Sequence, residues 1–410
     1  MYKIFTDFKE KVNFIDKFLL IFIVFQPFLL ATSIFLADLF SSISGIILIY
    51  IFFKKKISFF RIIRKEIILM ISFYLIILTS LLFTEYFKIS FLASFFYFRY
   101  FLVSLSIFYL LKKYDFFITI FLYSLMFTIL IVLIDALIQY HFGKNLFGYD
   151  WPGRGRVYEI VPTFKYITGF FNEEKKLGSY LVRFLPLMLA AIYWKEKRYN
   201  NFLGDCFLLF VGIIVYLASE RTALFLYFII SASYLLINKN KLRVISCLVL
   251  VFGLLFYLQP ELKDKYVKFT IKQIEGGYTI NGKSNNSLPN DKTGIRYYSY
   301  EHENLVYTSI KIFQENYLFG SGVKTFYHEC NNLKKGKLKE LAQNNRKNKM
   351  MCSTHPHSSY FQILSDIGVF GLVVALYLLY YVILTWCKFF INICKNNKIN
   401  ISYYFINLGV

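Results

Sequence analysis

Residues 116–139 read FFITIFLYSLMFTILIVLIDALIQ, 24 positions whose only charged side chain is Asp135. A bilayer core of about 30 Å is crossed by a helix of roughly 20 apolar residues. A helix that is hydrophobic on every side belongs in lipid or in a very large core. The stretch reads as a membrane span, and the rest of the chain repeats its character. Of 410 residues, 57% are hydrophobic, 21% aromatic and only 18% charged, too few charges to coat a soluble domain. Further apolar runs lie near 17–36, 38–53, 67–84, 89–111, 177–194, 202–219, 221–237, 244–259 and 358–386. The first is no cleavable signal, because a second run follows at once with no small-residue cleavage site between them. The expected fold is all-α, a polytopic membrane helical bundle of ten or eleven spans with one large outer loop containing short helices. After Lys398 the chain begins another apolar stretch, Ile399 to Val410, and stops before it can cross. That ending reads as a truncated twelve-span fold.

The formal net charge of +22 raises the question of nucleic acid, and the placement of the cations answers it. With a cytoplasmic N-terminus, alternate loops carry Lys3, Lys9, Lys11 and Lys17, then Lys54 to Lys56 with Arg61, Arg64 and Lys65, then Lys112 and Lys113. Further on come Lys195, Lys197 and Arg198, then Lys239, Lys241 and Arg243, then Lys388, Lys395 and Lys398. The short loops opposite hold little beyond Lys88 and Arg221. This is the positive-inside bias, and it argues against a nucleic-acid surface. The same register places 140–176 and 260–357 outside. The chain divides into a five-span region over 1–139, an outer loop over 140–176, a four-span region over 177–259, a large periplasmic loop over 260–357 and a C-terminal membrane region over 358–410. The large loop holds 16 basic and nine acidic residues. Topology does not require that excess of cations, and an anionic ligand or lipid head group is one explanation of it beside plain solubility.

Cys206 and Cys247 sit in spans, and Cys387 and Cys394 lie near a span end, as inert packing residues do. Cys330 and Cys352 lie in the large loop, where an oxidising compartment would let them form a disulfide. No CxxC or HExxH spacing and no glycine-rich loop after a strand is present, which argues against zinc and nucleotide chemistry. All five histidines, His141, His302, His328, His355 and His357, fall in the two outer loops. The last pair lies in Thr354-His355-Pro356-His357-Ser358-Ser359-Tyr360, where the large loop re-enters the membrane. An imidazole there suits a general base, since its pKa lies near neutrality, although a solvated loop histidine is the commoner case. Charge inside a span is costly and often functional. The candidates here are Arg99, Asp135, Arg183 and Arg221 at the head of the eighth span. For Arg99 the bland alternative is a structural pair with a buried carboxylate or carbonyl.

Ser219-Glu220-Arg221-Thr222 is the whole turn between two spans, which holds the guanidinium in nearly fixed geometry. Arginine matches phosphate oxygens with a planar fork of donors, so Arg183 and Arg221 near one face would hold a pyrophosphate. Within the large loop Val306, Ile310, Phe313 and Tyr317 follow four-three-four spacing, predicting an amphipathic helix that ends at Gly320-Ser321-Gly322. Such a helix either covers the mouth of the bundle or merely packs the loop together.

These residues resemble the bacterial O-antigen ligases and the related O-antigen polymerases and protein O-oligosaccharyltransferases. His355-Pro356-His357-Ser358-Ser359-Tyr360 running to Asp366-Ile367-Gly368 is similar to the family's histidine, ten intervening residues and glycine at the start of a span. Ser219-Glu220-Arg221-Thr222-Ala223 resembles its Ser-x-Arg turn, and Leu318-Phe319-Gly320-Ser321-Gly322 through Phe326 its Gly-x-Gly stretch. Phe170-Phe171-Asn172-Glu173-Glu174 through Leu177-Gly178-Ser179-Tyr180 is less specifically like its entry into the preceding helix. The likeness covers about 165–386. Where the family often has an arginine some 18 residues before the Gly-x-Gly stretch, this chain has His302, with Arg296 nearby as a substitute.

By position, the resemblance implies that Arg221 engages an undecaprenyl diphosphate and that His357 activates the acceptor hydroxyl. Substrate binding would fall to Arg221, Arg183, Arg296 and His302. It further implies a lipid-diphosphate-dependent glycan transferase of lipopolysaccharide biosynthesis, with no metal and no cofactor. The donor would be an undecaprenyl-diphosphate-linked glycan, and the acceptor a lipid A core or a growing glycan. The enzyme would sit at the outer face of the bacterial inner membrane among its lipids, with no nucleic-acid partner. Ligase, polymerase and protein O-oligosaccharyltransferase share that donor. A competing class is a lipid-linked oligosaccharide transporter, which would carry charge along a path through the midplane. Only Arg99 lies that deep.

Overall fold

The computed structural model describes residues 8, 10–55, 64–150, 166–194, 200–271, 300–335 and 351–396. Among the described residues the chain is helical throughout, with one isolated bridge, Lys144 to Asp150, in place of any strand. In order the helices are α1 (Phe14–Thr32), α2 (Ile34–Lys55), α3 (Arg64–Thr79), α4 (Phe87–Phe95), α5 (Phe98–Lys113), α6 (Phe117–Phe142) and α7 (Leu177–Tyr193). They continue with α8 (Asn200–Leu217), α9 (Arg221–Ile237), α10 (Lys241–Leu258), α11 (Pro260–Asp264), α12 (Tyr300–Glu315), α13 (Phe326–Lys335) and α14 (Ser359–Asn396).

Among the described residues seven stretches are long and apolar enough to cross a membrane, with α4 and α5 forming one of them, and α7 and α9 are apolar helices of 17 residues. At 1.5 Å per residue those span roughly 26 Å, the short end of what a bilayer accepts. Side chains such as Phe35, Leu82, Leu242 and Val249 are largely exposed along these helices, which in water would be a liability and in lipid is the outer surface. The protein is an all-α polytopic membrane protein. Three expected spans are altered in detail. The run at 89–111 is broken at Phe96 and Tyr97 into α4 and α5. The run at 358–386 extends to Asn396 and breaks at Gly368. His141, expected in an outer loop, falls in the last turn of α6. The stretch 399–410 lies outside the described residues.

The chain groups into two compact units. The first comprises Met1–Tyr50, Val103–Phe269 and Trp386–Val410, the second Ile51–Leu102 and Thr270–Thr385. In the first unit α7 packs against α6, α8 and α9, and α1 packs against α6. Leu181, Leu185, Met188 and Leu189 recur at helical spacing along α7 and are buried with Ile129, Val132 and Leu133 of α6 and Val211, Ile214 and Val215 of α8. Gly212 lets α9 approach α8: a Cβ there would overlap the Tyr227 side chain, whose hydroxyl donates to the Leu208 carbonyl at 3.0 Å.

Three buried carboxylates of this unit are hydrogen-bonded, as lipid demands. Asp16 accepts from Tyr114 Oη at 2.6 Å and from Tyr109 and Lys113, tying α1 to α5. Asp205 accepts from Tyr234 Oη at 2.6 Å, from Asn238 Nδ2 at 2.7 Å and from Arg243, tying α8 to α9 and α10. Asp135 is a structural ligand of the chain's own loop, accepting from the Leu146 N–H at 2.8 Å and from Asn145 Nδ2.

In the second unit α12 packs on α13 around Leu305, Ile312, Phe326 and Cys330, and Cys330 is disulfide-bonded to Cys352. The apolar stripe of α12, Val306, Ile310, Phe313 and Tyr317, is not its buried face. Asn304, Leu305, Thr308, Ser309 and Ile312 are buried instead, while Ile310 and Tyr317 are exposed. The hydroxyls explain the reversal. Thr308 donates to the Asn304 carbonyl at 2.8 Å and Ser309 to the Leu305 carbonyl at 2.9 Å, so both side chains enter a packed face already hydrogen-bonded.

Candidate functional site

In the first unit the polar end of α6 orders the segment that leads into α7. Gln139 Oε1 accepts the N–H groups of Thr168 and Gly169, both at 2.8 Å, and the Ile167 N–H reaches the Leu217 carbonyl at 3.2 Å. This fixes Tyr166 beside the end of α8 and sets the entry to α7. The first N–H groups of α7 need acceptors, and Glu220 supplies them: its carboxylate accepts from Gly178 N at 2.7 Å, Ser179 N at 3.0 Å and Ser179 Oγ at 2.5 Å. Burial raises the Glu220 pKa above the ordinary carboxylate value, and these hydrogen bonds oppose the rise.

The turn itself is tight. Ser219 takes a left-handed φ of 63° and is buried, and Arg221 is the first residue of α9. A π-helical turn, Lys265–Phe269, follows α11. Its first residue donates from the ammonium to the Ser219 carbonyl at 2.6 Å and to the Ser219 hydroxyl, while the Tyr266 hydroxyl donates to the Tyr216 carbonyl at 2.9 Å. Lys175 and Lys265 face one ring, with ammoniums 4.3 Å and 5.9 Å from the Tyr166 centroid. Burial, then Lys175 and Arg221 nearby, push the Lys265 ammonium down to about 6. Lys175 is lowered too, by withdrawal of its ammonium from water and by Arg221, against the opposing pull of Lys265 and Glu220. Arg183 lies exposed on α7 and takes part in none of these contacts. Arg99 stacks on Tyr100, 4.8 Å from its ring centroid, at the start of α5.

In the second unit three imidazoles gather. His357 lies 4.1 Å, centroid to centroid, from His355 and 5.9 Å from His302 of α12. His357 has a left-handed φ of 55°, and Thr354 Oγ1 lies 2.9 Å from His355 Nδ1. Partial withdrawal from water, then His355, then His302 lower the His357 pKa below its ordinary value. That favours the neutral ring a base requires.

Two residues on, α14 begins, and its first turns are clamped by the glycine-rich stretch. Ser321 and Gly322 donate to the carbonyls of Ser365 and Asp366, both at 2.9 Å, and Val369 donates to the Tyr317 carbonyl at 2.9 Å. The buried Asp366 carboxylate accepts the Lys324 N–H. Cys330 and Cys352 pin the same loop. Arg296 lies outside the described residues. Among the described residues no three His, Cys, Asp or Glu side chains are placed to hold a metal ion.

Residues 206–376 match the family model described as O-antigen ligase. This part of the chain is similar to the O-antigen ligase family. The matched stretch includes Arg221, Lys265, His302, the Gly320–Gly322 stretch, His357 and Gly368, whereas Tyr166 and Lys175 precede it. No curated protein and no solved structure matches the chain at a significant level.

Lys175, Lys265, Glu220 and Asp366 were not singled out as site residues by sequence reading. A signal for the lysines exists. Lys175 and Lys176 immediately precede α7, and Lys263, Lys265 and Lys268 closely follow α10, on the side that the topology expected from the sequence leaves poor in cations. Cations that run against topology need another reason to be there.

Proposed function

We propose that this protein transfers a glycan from undecaprenyl diphosphate to the lipid A core, acting at the outer face of the bacterial inner membrane with its large loop in the periplasm. The observation that carries the reading is that the stretch similar to the O-antigen ligase family contains both a cation fixed at the head of a helix, Arg221, and an imidazole held toward its neutral form, His357. Arg221 binds the diphosphate, where helix N–H groups and a planar fork of donors both favour an anion. His357 accepts the proton of the acceptor hydroxyl as its oxygen attacks the anomeric carbon. The glycosidic C–O bond breaks with its electron pair on the diphosphate, whose developing charge is stabilised by cations of the chain. No metal is required for this sequence of events. Arg183, Arg296 and His302 remain proposed substrate contacts.

The test is complementation of a ligase-deficient bacterium. Glycan appearing on lipid A core supports ligation. Glycan that stays on its carrier but lengthens would make the chain a polymerase, and glycan on a protein an O-oligosaccharyltransferase. Movement of lipid-linked glycan without any transfer would make it a transporter.

The imidazole cluster gives a pH prediction. Partial withdrawal from water, then His355 and His302, disfavour protonation of His357, so the acidic limb of kcat/KM lies below that of an ordinary histidine. Replacing His355 with Asn removes one of those neighbours, and the limb should move to higher pH while the rate on the plateau changes little. A pH profile for wild type, His355→Asn and His302→Asn checks this. An unmoved limb would show that His357 is not the titrating base.

A further inference from the structure

The turn at Ser219 gathers more cation than one arginine. Lys265 sits on the Ser219 carbonyl, two residues before Arg221, and Lys175 faces the same Tyr166 ring. Lys175, Arg221 and Glu220 act on Lys265, and Glu173 acts on the Tyr166 ring that both lysines face. The Glu220 oxygens already serve the N-terminus of α7. Arg221 occupies the first position of α9, the end where the helix dipole disfavours a cation and favours an anion. Arg221, Lys175 and, once protonated, Lys265 gather three cations at a positive helix end, an arrangement suited to an anion of two charges. A sugar-linked lipid diphosphate, with one charge per phosphate, has that charge. A phospholipid head group esterified twice carries one.

We propose that Lys265 and Lys175 complete, with Arg221, the site for the diphosphate of a lipid-borne donor, and that Lys265 takes up a proton when the diphosphate binds. The assignment rests on the donor reading above. Arg221 supplies the planar fork, and the lysines supply compact charges on flexible stems. Because burial among cations holds Lys265 near 6, it is largely neutral in the anion-free protein at pH 7.5. Two negative charges beside it reverse that balance. Affinity should then fall as pH rises above neutrality, by up to about tenfold per unit for one coupled proton.

The experiment is calorimetric titration of the full chain in detergent with farnesyl diphosphate and, separately, inorganic pyrophosphate, in two buffers of different ionisation enthalpy at pH 7.5. Wild type should take up close to about one proton per farnesyl diphosphate bound. Lys265→Arg should bind with no uptake, because arginine stays charged. Lys265→Gln should bind about 10- to 100-fold more weakly with no uptake, and Lys175→Gln about tenfold more weakly. Unchanged binding by Lys265→Gln, or wild-type binding without proton uptake, overturns the proposal. Binding of pyrophosphate but not farnesyl diphosphate overturns the assignment to a lipid-borne donor. A chain that binds farnesyl diphosphate with uptake yet moves no glycan keeps this inference and overturns the transfer reading. Full glycan transfer by Lys265→Gln with undiminished donor affinity does the reverse.

Discussion

His357→Ala and Arg221→Ala chains, inserted at wild-type levels, are expected to leave the glycan on its lipid carrier, each through a different kinetic parameter. A positioned general base contributes about 10²- to 10⁴-fold, so His357→Ala should lower kcat by that range with the donor KM little changed. In the proposed reaction Arg221 contacts a group that gains charge as the bond breaks. Losing such a donor costs about 10²- to 10³-fold in kcat elsewhere, and the same contact also binds the ground state, so the donor KM should rise as well. Arg221→Lys keeps the charge but loses the fork, and should recover only part of the activity. Initial rates with a purified lipid-linked donor, alongside gels of ligated glycan, measure both parameters. If His357→Ala keeps wild-type kcat, the base lies elsewhere; if Arg221→Ala changes neither parameter, the diphosphate is held by other cations.

The spans were legible because lipid enforces one rule along the whole chain, and a run such as 116–139 obeys it without tertiary help. Their interruptions were less so. Gly368 sits inside an apolar run that reads as one helix, and only the docking of Tyr317 to Gly322 on it shows why the helix breaks there. The buried face of α12 was not legible for a related reason. An apolar stripe is a good guide when polar side chains need water, but Thr308 and Ser309 satisfy their hydroxyls on their own helix and are buried. Arg221 and His357 stood out as residue types placed at a turn and at a re-entry point. Lys175 and Lys265 did not, because 89 intervening residues separate them and only the fold around Tyr166 brings both ammoniums to one ring. The pairing of Cys330 with Cys352 was readable because no other cysteine lies in that loop.

Gly368→Ala and Gly320→Ala are expected to disable the protein without touching any reacting group. Gly368 has φ 70° and ψ −165°, a combination essentially restricted to glycine, and a Cβ there would overlap the Leu318 carbonyl. Gly320 has φ 70° and its Cβ would overlap the Asp366 backbone. In both cases the obstacle is backbone, which cannot rotate aside as a side chain can. Strain and collision together should cost at least about 3 kcal/mol, enough to undock the glycine-rich stretch from α14 at ordinary stabilities. His357 lies two residues before the start of α14, so release of that clamp frees the segment that sets the imidazole beside His355 and His302. Glycan transfer should fall to background, and limited proteolysis should cut the loop before α14 far faster than in wild type. Gly253→Ala in α10, where a Cβ would meet nothing within 4 Å, should behave as wild type in both assays. Full activity with a protected loop in Gly368→Ala would mean that the break in α14 is not what holds His357 in place.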